Sequence, residues 1–149
     1  VHGEVEPYAD RIKHPLGKHP TAREKYAVRY DDLGKDALTI YRVREAYDGY
    51  TRLELELTTG RTHQIRVHFA HRRNSLVGDP VYGGRLAMPA GASDELQDVL
   101  RGFRRQALHA TRLAFRHPRT GLDVECKVEP PDDFAALIAA LKKDADQRK

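Results

Sequence analysis

The sequence predicts an α+β fold, a mainly antiparallel or mixed sheet with flanking helices. Two runs rich in β-formers, 38–47 and 50–57, meet at Asp48-Gly49, a dipeptide that favours a tight hairpin. Apolar residues recur at helical spacing in three segments that begin near Thr62, Ser93 and Asp132. A second pair of β-rich runs, 108–117 and 122–128, flanks a turn that holds Pro118 and Gly121.

Each element has its own signal. Residues 1–21 hold Pro7, Pro15, Gly17 and Pro20 and read as loop and turn. Residues 24–30 alternate, with Tyr26, Val28 and Tyr30 on one side, a strand pattern. Gly34 marks a turn, and Thr39, Ile40, Tyr41 and Val43 open the first long strand. In the next strand Leu53, Leu55 and Leu57 are expected inward, with Arg52, Glu54 and Glu56 outward. Residues 74–84, with Gly78, Pro80, Gly83 and Gly84, read as a loop. Ser93 is placed to cap a helix whose Leu96, Val99, Leu100 and Phe103 share one face. Pro130-Pro131 breaks the chain, and Asp132 is expected to cap a closing helix carrying Phe134, Leu137, Ile138 and Leu141. Residues 144–149 are expected to fray.

A chain of 149 residues can bury a sizeable core, although 40% hydrophobic and 32% charged content imply a heavily charged surface. The net charge of +4 admits an anionic partner. The charge is also segregated: residues 99–122 hold no Asp or Glu but include Arg101, Arg104, Arg105, Arg112, Arg116 and Arg119. Residues 11–23 are acid-free as well, with Lys13, His14, Lys18 and His19. Such segregation is a better sign of a phosphate-binding face than net charge, although a solvated basic surface is the commoner account of any one run. One cysteine, Cys126, cannot form an internal disulfide and suits a reducing cytoplasm. No apolar run reaches the length of a membrane span, so no membrane partner is expected. The first residue is Val1 and Val1-His2-Gly3 has the look of a strand end, so the chain is expected to begin inside a larger protein.

The most informative stretch is Gly60-Arg61-Thr62-His63-Gln64-Ile65-Arg66-Val67-His68-Phe69-Ala70-His71-Arg72. Gly60 permits a strand-to-helix turn and Thr62 is a candidate N-cap. Ile65 and Phe69 fall on one buried face, and His63 and Arg66 share another. No acid occurs in residues 60–78. The unit is suited to holding the Arg66 guanidinium rigidly beside something anionic, since its planar fork grips a carboxylate with two parallel bonds.

Together, Thr59-Gly60-Arg61-Thr62-His63-Gln64-Ile65-Arg66-Val67-His68 and Val77-Gly78-Asp79-Pro80-Val81-Tyr82-Gly83-Gly84 resemble the RluA-type family of RNA pseudouridine synthases. Gly34-Lys35-Asp36-Ala37-Leu38-Thr39, Arg105-Gln106-Ala107-Leu108-His109-Ala110 and His117-Pro118 extend the resemblance over nearly the whole chain. The stretch from Gly83-Gly84-Arg85 to Ala110 is especially similar to members that act on large-subunit ribosomal RNA. Asn74-Ser75 departs from the family, which usually has His-Pro there.

The resemblance implies the fold of a pseudouridine synthase, truncated at the N-terminus, with residues 1–149 forming the C-terminal portion of one catalytic domain. It implies isomerisation of uridine to pseudouridine in large-subunit ribosomal RNA, without metal or organic cofactor. It further implies an aspartate nucleophile in a His-Arg-Leu-Asp motif, a tyrosine that stacks on uracil, and an arginine that pairs with the aspartate. Only the arginine has a counterpart here, Arg66, and the sequence contains no His-Arg-Leu-Asp. The chain alone is therefore expected to be inactive. Its Arg66 is expected to face solvent or capture an anion, and its unpaired edge to favour self-association unless the missing N-terminal half is present. A non-catalytic RNA-binding module is the alternative.

The remaining candidates are RNA contacts. Arg61, His63 and Gln64 lie at a helix start, where backbone or phosphate can be bonded. Tyr82 is equally suited to packing in the core or stacking on a base, and Arg104 and Arg105 form a basic pair. Asp79, followed by Pro80 in a glycine-rich loop, is read as fixing a turn through its own backbone bonds. His68 and His71 share a helix face, but no nearby Cys or acid supplies a third ligand, so no metal is expected.

Overall fold

The computed structural model describes residues 1–148. Seven strands and three helices occur in the order β1(Ala9–Lys13), β2(Leu16–Lys18), β3(Tyr26–Val28), β4(Leu38–Ala46), β5(Thr51–Leu57), α1(Gln64–His71), α2(Asp94–Gly102), β6(Arg112–Arg116), β7(Asp123–Lys127) and α3(Asp132–Gln147). The α+β class is as expected. Every strand pairing is antiparallel, and the strands form a sheet of order β1-β4-β5 and the two pairs β2-β3 and β6-β7.

The β4–β5 hairpin turns at Asp48-Gly49, with Gly49 at φ 81° and Tyr47 N–H donating to Tyr50 O at 2.8 Å. Tyr41 and Val43 of β4 are buried, whereas Leu53 and Leu55 of β5 are only half-buried. Leu57, expected inward, is exposed at the end of β5. Residues 1–21, read as loop, hold β1 and β2. Only Ile12 of β1 is buried, so no alternation announces the strand; it exists because its backbone completes the edge of β4.

α1 lies against β4 and β3 and separates two clusters. Phe69 joins Ile12, Tyr41, Val43 and Leu76 on one side, with Ile65 packed alongside. Val67 joins Leu16 and Ala37 on the other, with Tyr82 packed against them. The third cluster joins Leu96, Leu100 and Phe103 of the α2 region to Leu137, Ala140 and Leu141 of α3. Ser93 caps α2 as expected, its side chain accepting from Leu96 N–H at 3.2 Å.

Three terminal details differ from the sequence reading. Thr62 does not cap α1; His63 occupies that position in the left-handed region, φ 55°, without a side-chain cap. Pro131 precedes α3, so Asp132 is its first residue rather than its cap, and places charge at the positive end of the helix dipole. The tail expected to fray is helical to Gln147. Arg148 pairs with Asp48 at 2.6 Å and Asp144 at 3.0 Å, tying it to the β4–β5 hairpin; Lys149 lies outside the described residues.

β6 and β7 stand apart from all three clusters. Leu113, Phe115, Val124 and Cys126 share one face, and Leu113, Phe115 and Cys126 are exposed. The other face carries Arg112–Glu125 and Arg116–Asp123 ion pairs at 3.2 and 3.8 Å. The hairpin is therefore amphipathic with its apolar face uncovered.

Candidate functional site

Gln64 fixes the start of α1. Its Oε1 accepts from Thr59 Oγ1 at 2.8 Å and Arg61 N–H at 3.0 Å. Its Nε2 donates to Leu38 O and Thr39 Oγ1, both at 3.0 Å. A glutamine amide offers two donors and two accepting lone pairs, and these bonds fill all four. Gln64 is buried, and all of its side-chain hydrogen bonds go to the chain itself. One turn on, His68 is fully buried with Nε2 at 2.9 Å from His14 O and Nδ1 at 2.8 Å from Thr39 Oγ1. A carbonyl only accepts, so the proton sits on Nε2 and Nδ1 takes the threonine hydroxyl. Burial holds His68 below the usual imidazole range, in keeping with a neutral ring.

The next face of α1 carries the charge. Arg66 donates from Nε to Asp79 Oδ2 and from Nη2 to Asp79 Oδ1, both at 2.8 Å. This corrects the expectation that Arg66 is left without a carboxylate inside the chain. Asp79 also forms the turn read from sequence, its Oδ1 accepting from Val81 N–H at 2.9 Å and Tyr82 N–H at 3.0 Å. Burial acts to raise the Asp79 carboxyl, but the Arg66 bond and the two backbone N–H groups outweigh it and hold it below the usual carboxylate range.

Two glycines seat this loop. Gly78 has φ 77°, and a Cβ there would lie 2.2 Å from Arg105 O. A Cβ on Gly83 would lie 2.4 Å from Asp79 O. Only glycine lets the chain press so closely around the aspartate.

Tyr82 closes the arrangement. Arg66 Cζ lies 5.0 Å from its ring centroid, a cation–π contact. Its hydroxyl accepts from Tyr26 N–H and meets His63 Nδ1, each at 2.8 Å. Burial, followed by the Arg66 charge, lowers the His63 pKa and favours its neutral ring. Arg66, Asp79, Tyr82 and His63 thus form one connected unit. Tyr82 is half-buried, with its hydroxyl engaged within the chain.

The other candidates lie apart. Arg61 donates from Nε to Asp36 O at 3.0 Å and is otherwise exposed. Arg105 grips Asp133 of α3 with bonds of 3.0 and 2.8 Å and lies over Phe103, which makes it a structural tie. Arg104 is exposed, with no ion pair among the described residues, and lines a cleft of about 250 Å³ together with Asp79, Leu100 and Phe103. A second cleft of about 350 Å³ runs between β3 and α1, lined by His19, Lys25, His71 and Tyr82. Among the described residues no group of His, Cys, Asp or Glu is arranged to hold a metal, and no helix is long and apolar enough to cross a membrane.

Sequence reading missed the Arg66–Asp79 pair because it spans two elements, a helix and a loop. The available signal was that Asp79 is the first acid after the acid-free run 60–78, within Gly78-Asp79-Pro80.

A family described as RNA pseudouridylate synthase matches residues 2–71. Ribosomal large subunit pseudouridine synthase D of Vibrio parahaemolyticus is 50% identical over 137 residues, 92% of this chain and 42% of that protein. The protein of that name from Escherichia coli is 48% identical over 138 residues, covering 93% of this chain and 42% of its own length. The chain thus spans about two fifths of these curated relatives. Human RNA Pseudouridylate Synthase Domain Containing 1 superposes with a TM-score of 0.69 at 26% identity, over 93% of this chain and 55% of that one. Human RNA Pseudouridylate Synthase Domain Containing 4 has a TM-score of 0.71 at 20% identity, over 95% and 59%, a likeness of fold alone. Residues 2–71 thus match the RNA pseudouridylate synthase family, and nearly the whole chain is similar to part of the ribosomal large subunit pseudouridine synthases D, consistent with the RluA-type resemblance read from its motifs.

Proposed function

We propose that this chain supplies the arginine-bearing part of a catalytic domain that converts uridine to pseudouridine in large-subunit ribosomal RNA, in the reducing cytoplasm. The observation that carries the reading is the rigid, two-point seating of Arg66 within the motif that the sequence shares with the family. The reaction breaks the N1–C1′ bond of uridine and joins C5 to C1′; C5 gives up its proton and N1 takes one up from solvent, so the product is an isomer. A carboxylate acting as nucleophile or base must remain ionised, and an adjacent guanidinium lowers its pKa. Asp79 does not take that role: its carboxylate is spent on Arg66 and two backbone N–H groups. The acid comes instead from an aspartate-bearing segment corresponding to the part of the relatives that this chain does not match. That segment also covers the apolar face of β6–β7.

The test joins this chain to the aspartate-bearing segment of a curated relative and assays pseudouridine in large-subunit ribosomal RNA. The joined polypeptide is expected to form it and the chain alone to form none. Turnover by the chain alone, or none by a folded joined polypeptide, contradicts the proposal.

The reading as an RNA-binding module draws on one observation, the exposed Arg104 beside its cleft, without an ion pair among the described residues. Either reading predicts salt-sensitive binding to single-stranded RNA, with a logarithmic slope of about −0.7 per phosphate contact. Catalysis by the joined polypeptide separates the two.

A further inference from the structure

We propose that Asp79 is a positioning residue for Arg66: it grips one edge of the guanidinium and thereby presents the other edge to the catalytic carboxylate. The inference rests on the functional reading above and adds a second acid to it. A guanidinium carries five N–H donors. Asp79 takes the Nε–H and one hydrogen of Nη2, which leaves the second Nη2 hydrogen and both on Nη1. Among the described residues nothing accepts a hydrogen bond from Nη1. Exposure follows the same division, for the Arg66 side chain keeps 11% while that of Asp79 keeps 1%. Nη1 is not among the buried polar atoms that lack a partner, so the free edge reaches the surface while the carboxylate that grips the other edge is sealed.

The grip is rigid from behind. Asp79 is pinned by Val81 and Tyr82 N–H, and its backbone by the close approaches at Gly78 and Gly83. The Tyr82 ring lies against the guanidinium and restrains its rotation. Two carboxylates can share one guanidinium when each takes its own edge, so Asp79 need not be displaced when the second arrives. Its negative charge also tempers the field that Arg66 exerts on the nucleophile.

The test uses the joined polypeptide with Asp79→Asn, which keeps an oxygen for the Val81 and Tyr82 bonds but removes the charge. The expected result is a fall in kcat of about 10- to 100-fold with loss of orientation, while KM for RNA stays within about twofold. The acid limb of the kcat profile should move to lower pH, because Arg66 then acts undiluted on the nucleophile. A role in loop structure alone leaves that limb in place. Unchanged kcat and an unchanged acid limb, beside an inactive Arg66→Ala control, overturn this inference and spare the functional reading. Full activity of Arg66→Ala overturns the functional reading itself. A second measurement needs only the wild-type chain: by nuclear magnetic resonance, the Arg66 Nε–H should exchange with solvent slowly, like a buried amide. Rapid exchange of that proton overturns the inference whether or not the Asn variant folds.

Discussion

The environs of α1 and the β6–β7 hairpin answer the same problem, holding charge and apolar surface together, in opposite ways. At α1 the charges are turned inward onto named partners and Phe69 is fully covered. In the hairpin the charged face is paired only at the surface, and Leu113 and Phe115 on the other face stay exposed. The first region is complete in itself. The second has the chemistry of half an interface.

The contrast predicts unequal mutational costs, largest at the buried ion pair. Asp79→Ala should destabilise the chain by about 3–5 kcal/mol, because it strands Arg66 and frees two backbone N–H groups. Phe69→Ala should cost about 3–5 kcal/mol, and Phe115→Ala under about 1 kcal/mol, since no cavity opens at an exposed ring. Denaturant titration measures all three, and equal losses for the two phenylalanines would erase the distinction.

The hairpin should govern association instead. Replacing Leu113 and Phe115 by serine should reduce self-association of the chain, read by sedimentation, with little change in its unfolding midpoint. Unaltered association would mean that this face needs no cover.

Acid separates the regions next. The pKa values of His14, His63 and His68 are lowered, chiefly by burial, and all three rings contact α1 or belong to it. A folded-state value below the unfolded one means that stability is full above the ordinary imidazole value, about 6.5, and is lost as pH falls through the folded value. The protection of α1 amides, taken relative to their intrinsic exchange rate at each pH, should therefore fall as pH drops from about 6.5 to 5, while the protection of β6 and β7 holds. Asp79 follows the same sign lower down, its contribution disappearing as pH falls below about 3.9. The smallest effect belongs to the exposed Arg112–Glu125 pair, where Arg112→Ala should cost under about 1 kcal/mol.

What could be read in the sequence follows the same division. The β4–β5 hairpin, the faces of α1 and α2 and the β6–β7 pairing are local patterns, and their periods and turn residues are visible in the chain. β1 was hidden because its pairing with β4, not its own pattern, makes it a strand. Arg66 was legible from its acid-free setting and motif. Its partner was not, because Asp79 had been read only as a turn residue, and one carboxylate here serves turn and ion pair together. Gln64 looked available at a helix start, and only the structure reveals its four bonds to Thr59, Arg61, Leu38 and Thr39. After residue 143, where a fraying tail was expected, Asp144 and Arg148 find partners in distant segments that the local sequence does not reveal.

The central claim is that the free edge of Arg66 steadies a carboxylate supplied by another segment. Its most direct test measures tritium released from RNA labelled at uridine C5 by the joined polypeptide, with Arg66 kept, changed to Lys or changed to Ala. The account predicts release with arginine, much less with lysine, which keeps the charge but lacks the planar fork, and none with alanine. Equal release from the alanine form would contradict it.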